Sequence, residues 1–424
     1  MANGFNKQET VAFEQIMEGF QDALVLSRNV NVFTTDMTVM ERSSDTIWRP
    51  QPYIAQSFSA PAGTDMSSNF KDSTQMSVPA SLGYAQMSPW VLNAKELRDA
   101  LQEKSLGKAA TQKLAADINV NLMNIAANQG TLFVKRSSTA SGFDDVAQCE
   151  AIMNEQGIPS NDRYLALSTR DYNGMASSLA GRQNVTDLPK TAYQRAYVGP
   201  IASFDTFKLD YANRKTAAAG GGGLTMSTLD GAVNYYTPKA KTTTVVGQVN
   251  HDNRYQQITV SSTASVVAGD AFTVAALNAV HHITKVDTGQ LKTFRVISVD
   301  DGTHMTISPP MITNQVAADA SAQYQNCVIN TKSATSAITF LNTVTNYVNP
   351  FWQKDAIELL PGRYSVPTDS GVAIMRASTD QGIEVVLQKW YDINTMKMKF
   401  RMDCLFGCVM KQPEMAGVMM FSQT

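Results

Sequence analysis

Charge is scarce in this chain of 424 residues: Asp, Glu, Lys and Arg make up 17% of it, against about a quarter in an average soluble domain. The formal net charge of −2 supplies no chain-wide basic field, which argues against a nucleic-acid reader. Cysteine is scarcer still. Cys149, Cys327, Cys404 and Cys408 are irregularly spaced and too few for a disulfide framework. No apolar run approaches the roughly 20 residues of a membrane-spanning helix. The first residues lack a basic segment followed by an apolar one, so no signal peptide is expected, and assembly in a reducing cytoplasm is. There are four histidines, His251, His281, His282 and His304, and all fall within one stretch. His281 and His282 are adjacent, so on a strand their rings point to opposite faces and cannot share a metal. Gly-x-Ser-x-Gly, His-Glu-x-x-His and Cys-x-x-Cys are all missing. A Cys–His hydrolase would need one of these histidines to reach Cys149 or Cys404 from another domain. No residue pattern signals catalysis.

Ser, Thr, Ala, Asn and Gln take the place of charge. A protein that hides much of its surface against copies of itself needs little charge to stay soluble. The length predicts two or three units. The strongest helical signal lies between Asn93 and Gly130. Asn93 and Glu96 have the spacing of a capping box. Ser105-Leu-Gly107 reads as a break with Ser105 as a second cap. Leu114, Ile118, Leu122, Ile125 and Ala126 then repeat at three- and four-residue steps, predicting a helix over 105–129 with Gly130 as its stop. Residues 8–27 predict an amphipathic helix with Phe13, Ile16, Met17, Phe20 and Leu24 on the apolar side. Glu14, Glu18 and Asp22 recur every four residues along it, either as a solvated face or as a docking strip for a basic partner.

Residues 42–90 read as strand and loop, with Pro50, Pro52, Pro61, Pro79 and Pro89 interrupting regular pairing. Such a segment cannot bury much alone and reads as an extended hairpin that needs neighbours. The run Thr216-Ala-Ala-Ala-Gly-Gly-Gly-Gly223 is a flexible joint, since no Gly-Lys-Ser/Thr follows to make it a phosphate loop. Beyond it, to about Asn330, the pattern is β, with a hairpin turning at Asp301-Gly302. A helix is predicted over 333–347. From Met396 to Met410, Met, Phe and Cys alternate with other residues, which predicts a long strand carrying Cys404 and Cys408 on its apolar face as inert thiols.

Arg42-Ser-Ser-Asp-Thr-Ile-Trp48, Glu96-Leu-Arg-Asp99, Lys113-Leu-Ala115, His251-Asp-Asn-Arg-Tyr255, Gly269-Asp270, Asp301-Gly-Thr-His304, Phe351-Trp352 with Asp355-Ala-Ile357, and Pro413-Glu-x-Ala-Gly-Val418 carry a resemblance along nearly the whole chain. With these stretches the chain resembles the major capsid (coat) proteins of short-tailed double-stranded-DNA phages of the Salmonella type. The match is poorest in the hairpin and between 157 and 199. The resemblance implies an α+β class, the tailed-phage capsid fold with an inserted antiparallel β-barrel. Residues 1–30 would then be an N-terminal arm. Residues 31–145 would be a peripheral domain with an extended loop (42–88) and a spine helix (105–129). Residues 146–223 would begin an axial domain, 224–333 would be the insert, expected to fold alone, and 334–424 would complete both domains. It further implies hexamers and pentamers of the chain itself, a scaffolding protein, a portal protein at one vertex, and enclosed double-stranded DNA bound without sequence specificity. No enzyme activity, cofactor, metal or membrane is implied. Glu14, Glu18 and Asp22 become scaffold-contact candidates, and Trp48 and Arg49 subunit-contact candidates. A cellular nanocompartment shell has the same fold but normally lacks the insert.

Overall fold

A computed structural model describes residues 5, 7–33, 46–52, 54–55, 57, 60–67, 75–93, 100–180, 199–209, 211–219, 223–227, 236–245, 247–313, 323–330, 335–364, 366 and 371–424. The chain divides into two compact units. One comprises Met1–Ile47, Ala80–Asn124 and Ile357–Val409, and the other Trp48–Pro79, Ile125–Ala356 and Met410–Thr424.

The first unit is built on a sheet with the strand order Asn31–Val32, Ile357–Pro361, Lys397–Met410, Glu384–Asp392, Ala373–Ser378, and with Tyr84–Asn93 also paired to Lys397–Met410. The predicted C-terminal strand is therefore central. Its aromatic residues find cross-strand partners in Tyr84–Asn93. Phe406 stacks on Tyr84 and Phe400 on Trp90, each pair with ring centroids 5.4 Å apart. Helix α1 (Lys7–Ala23) buries Phe13, Ile16, Met17 and Phe20. Helix α2 (Ala100–Gln129) buries Leu114, Ile118 and Leu122 in this unit. Asn119 of α2 ties down the end of α1. Its Oδ1 accepts from the Leu26 N–H at 3.3 Å, and its Nδ2 donates to the Ala23 carbonyl at 2.9 Å.

The predicted break at 105–107 does not form, and α2 runs unbroken through Gly107. A Cβ on Gly107 would lie 2.8 Å from Ile16 Cδ1, so this glycine lets α1 approach rather than ending a helix. Asn93, expected as a cap, is the last residue of a strand, and 94–99 lie outside the described residues. Thr46–Pro50 and Ser77–Ser81 pair as a two-stranded ribbon, whereas Tyr84–Asn93, the end of the expected hairpin, joins the main sheet.

In the second unit, a five-stranded sheet runs Leu132–Lys135, Ala416–Met420, Asn349–Gln353, Arg163–Ser168, Phe204–Leu209. Helices α3 (Phe143–Glu155) and α4 (Thr169–Ala180) pack on it through Val146, Cys149, Met153, Tyr172 and Met175. A seven-stranded sheet follows the order Gln256–Thr259, His304–Ser308, Asp287–Val299, Ala271–Val280, Thr335–Phe340, Thr225–Ser227, with Cys327–Ile329 beside Ala271–Val280. Met226 bridges Val260 next to the first of these strands, which closes the sheet on itself around Phe272, Phe294, Val296 and Ile307. The Asp301-Gly302 turn is present, with Asp301 Oδ1 accepting from the Thr303 and His304 N–H groups at 2.7 Å each.

The helix predicted over 333–347 is replaced by the strands Thr335–Phe340 and Asn346–Tyr347. Ser336 and Ile338 point inward while Thr335, Ala337 and Thr339 stay exposed. The Thr- and Ile-rich sequence satisfies a two-residue period as readily as a helical one, and a free edge of the barrel sheet decides the outcome.

Candidate interaction surfaces

On α1, Glu14 and Glu18 are exposed one turn apart, and Val11, 47% exposed, lies beside them. Asp22 continues the four-residue step within the same helix. The opposite side of α1 is buried, and Glu9 near its start pairs with Lys389 of the sheet. The helix is thus held by its apolar face and its first turn, and the carboxylates of Glu14 and Glu18 are left to water or to a partner.

Trp48 and Arg49 sit on the ribbon strand Thr46–Pro50, both half-buried. Gln51, just beyond, anchors the base of this segment within the second unit. Its backbone N–H donates to the Met76 carbonyl at 2.9 Å and its Nε2 to the Lys411 carbonyl at 3.1 Å.

A small cavity of about 40 Å³ opens beside Gln51 and is lined by Asn326, Arg254, His282, Gln412 and Glu414 among others. Gln51 Oε1, Gln412 Oε1 and His282 Nε2 are buried there with no hydrogen-bond partner among the described residues. The volume exceeds the roughly 10–15 Å³ that a single water needs. Glu414 anchors its wall, with Oε1 accepting from Lys292 Nζ at 2.5 Å and from Asn326 Nδ2 at 3.2 Å. Burial alone would raise the Glu414 carboxyl, but Lys292 and His282 outweigh it and hold the group below its ordinary value. Burial pushes His282 down to about 4 and Lys285 down to about 8. Arg254 clamps Asp252 through Nε at 3.0 Å and Nη2 at 2.7 Å, and its Nη1 donates to the Met410 carbonyl at 2.8 Å.

Arg295 makes a second deep polar contact in this unit. It is fully buried, with Nε donating to the Gly130 carbonyl at 3.0 Å, Nη1 to the Gly269 carbonyl at 2.9 Å and Nη2 to the Ala127 carbonyl. These contacts cap the end of α2 from a strand of the barrel. His281 and His282 follow the strand Ala271–Val280 rather than lying on it, and His282 N–H donates to the Gln156 carbonyl at 3.0 Å. Burial raises both Cys404 and Cys408 to about 12, so they are thiols and poor nucleophiles at neutral pH.

The sequence-selected residues Glu14, Glu18, Trp48 and Arg49 are shared between the two units. The first two lie in one unit and the second two in the other. The buried charged residues Lys292, Arg295 and Glu414 were not singled out as candidates. Lys292 did carry a signal, since it stands in phase with the inward Phe294 and Val296.

A family model described as the P22 coat protein, gene protein 5, matches residues 1–422. Among solved structures, a capsid of the cyanophage P-SCSP1u is similar at 10% identity and a TM-score of 0.45, covering 95% of this chain and 89% of that one. A structure from Mycobacterium phage Che8 has 8% identity and a TM-score of 0.45, covering 93% and 90%. The CUS-3 coat protein I-domain has 38% identity and a TM-score of 0.22, covering 29% of this chain and 99% of that one.

Proposed function

This chain belongs to the P22 coat protein family, whose members are phage capsid proteins, and from that premise we propose that it forms the hexamers and pentamers of an icosahedral head of the short-tailed Salmonella-phage type. The family match over residues 1–422 carries this reading. Copies assemble in the host cytoplasm around a scaffolding protein, with a portal protein at one vertex. The shell then expands as double-stranded DNA is packaged. The chain performs no chemistry of its own, and its work is done by surfaces. Residues 1–30 act as the arm, 42–88 as the loop over a neighbour, 105–129 as the spine and 224–333 as the outward insert. Co-expression with a scaffolding protein is expected to give closed shells or polyheads by electron microscopy. A discrete monomer that turns over a substrate would overturn the reading.

The acidic row of α1 suits a scaffold contact. Exposed charge pairs contribute only up to about 1 kcal/mol each, which allows binding that steers encounter and still reverses when the scaffold leaves. Reversing Glu14 and Glu18 to Lys is expected to lower the scaffold content of purified procapsids while the subunit stays folded. Added salt is expected to lower it in the wild type, because exposed charges are screened within about 10 Å at 0.1 M. Unchanged content in the double variant, with no salt dependence in the wild type, would return the row to a solvated face.

Trp48 is a large side chain that its own ribbon leaves partly open. Trp48→Ala is expected to leave soluble subunit at near-normal yield and to reduce shell formation several-fold, as loss of an aromatic interface anchor does. Loss of subunit stability with normal shells from the surviving fraction would make Trp48 a packing residue instead.

A further inference from the structure

The turn joining the strands Glu384–Asp392 and Lys397–Met410 is rigidly built, yet it presents apolar side chains to water. Asp392 organises it. Its Oδ1 accepts from the Asn394 N–H at 3.1 Å, and its Oδ2 accepts from Thr395 Oγ1 and Lys399 Nζ at 2.9 Å each. Met396 sits at φ +53°, a left-handed conformation that Gly or Asn adopts more easily than a long side chain does. The side chains displayed are Ile393, 79% exposed, and Met396, 69% exposed. A turn optimised only for the subunit would carry polar residues there.

The apolar surface continues down the sheet. Trp390 lies opposite Lys399, which lies opposite Val91, so these three form one row across three strands. Trp390 and Val91 are both exposed, and Met87, four residues before Val91 on the same side of its strand, is exposed as well. Lys399 Nζ lies 5.1 Å from the centre of the Trp390 ring, and Lys397 completes a cationic rim. An apolar centre with a charged rim is the anatomy of a protein interface. The rim does not suit nucleic acid, because Lys399 is paired with Asp392 and the next cation, Arg401, with Asp403. The chain itself carries complementary surface, with exposed carboxylates beside exposed valines: Glu14 and Glu18 with Val11, and Asp300 and Asp301 with Val299.

We propose that the Asp392–Lys397 turn is a preformed knob, with Ile393 and Met396 at its tip, that seats on a second copy of this chain. The assignment rests on the shell reading and adds to it one named contact between subunits.

Two variants test it in the full-length chain co-expressed with a scaffolding protein. In Ile393→Cys, a fluorescent maleimide is expected to label the new thiol readily in free subunits and about tenfold more slowly in shells, since a seated anchor is desolvated. The wild type supplies the background, because Cys149, Cys327 and Cys404 are buried and Cys408 is half-buried. Shells that form normally and leave the thiol as reactive as in free subunits would overturn the knob while sparing the shell reading. If the wild type forms no shells, the shell reading fails and the knob falls with it. Met396→Asn relieves the backbone conformation, so the thermal midpoint of the subunit is expected to hold or rise while shell yield drops. A residue that matters only to its own turn would leave shell yield unchanged, and that outcome overturns the proposal.

Discussion

Glu414→Ala is expected to destabilise the second unit by about 3–5 kcal/mol, because it leaves a buried ammonium uncompensated. The Lys292 side chain is 1% exposed and meets Glu414 at 2.5 Å. With the carboxylate gone, Lys292 would face His282 and Lys285, which carry no negative charge, and the cavity beside them offers only neutral acceptors. The loss measures an orphaned charge rather than the worth of the pair. Lys292→Met combined with Glu414→Leu is therefore expected to recover most of it, as buried pairs replaced by apolar residues of similar volume often do. Denaturant unfolding of the purified chain gives both numbers. A Glu414→Ala variant within about 1 kcal/mol of wild type would mean that water reaches Lys292 and that the pin is not dry.

The same cluster gives the stability a pH dependence of definite sign. His282 has a folded value of about 4 against 6.5 for the free side chain, so the unfolded chain binds the extra proton between those values. The contribution of neutral His282 is complete above pH 6.5 and declines as the pH falls toward 4. Burial is the main cause, and Lys292, Lys285 and His281 push in the same direction, while Glu414 opposes them. Glu414, held below its ordinary value, adds a further loss as the pH drops through its own lowered pKa. Unfolding free energy is expected to fall steadily below pH 6.5, and His282→Asn is expected to flatten the upper part of that slope. Equal stability of the wild type at pH 6.5 and 4.5 would contradict the assignment.

How much of this was legible in the sequence depends on the kind of interaction. The apolar stripe of α1, the period of 114–126 in α2 and the alternation at 396–410 all describe faces; the first two are buried as the pattern implies, and the third is buried at Phe400, Met402, Cys404, Phe406 and Met410 while Met396 at its start is exposed. Gly107 and residues 335–340 were misread because the deciding partners are distant in sequence: Ile16 for the glycine, and the strand Ala271–Val280 for the second segment. Arg295 and Glu414 were opaque for a related reason, and only the two-residue phase of Lys292 with Phe294 and Val296 hinted at its burial. A cation looks alike in sequence whether it is solvated or buried against carbonyls 165 residues away. Some of the short stretches that carried the family resemblance prove to hold such pins. Asp252 and Arg254 lie in one, Gly269 and Asp270 in another and Glu414 in a third. Asp270 is buried with Lys215 Nζ at 3.5 Å and Asn342 Nδ2 at 3.0 Å, so it too serves a structural contact. By contrast, Glu14 and Glu18 are exposed and Trp48 and Arg49 are half-buried on the ribbon, and the contacts proposed for them are with other molecules.

Arg295→Ala is expected to cost about 3–5 kcal/mol as well, through three carbonyls rather than through a counter-ion. The last carbonyls of a helix have no partner within it, and a cation at that end also meets the negative pole of the helix. Arg295 supplies both to α2 from a neighbouring strand, and it reaches Gly269 at the turn preceding another. The surroundings are too tight for water to substitute freely. A Cβ on Gly130 would already lie 2.9 Å from the Ala126 carbonyl oxygen and 3.0 Å from the Gly417 nitrogen. Burial lowers the guanidinium to about 10, still charged at neutral pH, so its charge rests on carbonyl dipoles and on Asp270. Arg295→Lys is expected to rescue less than half of the loss, because one ammonium cannot span three carbonyls that a planar fork reaches together. Hydrogen exchange adds a local readout, in which the amides of the last turn of α2 should exchange faster in Arg295→Ala than a uniform loss of stability would explain. A cost below about 1 kcal/mol, with unchanged exchange at the end of α2, would show that the helix closes without this arginine.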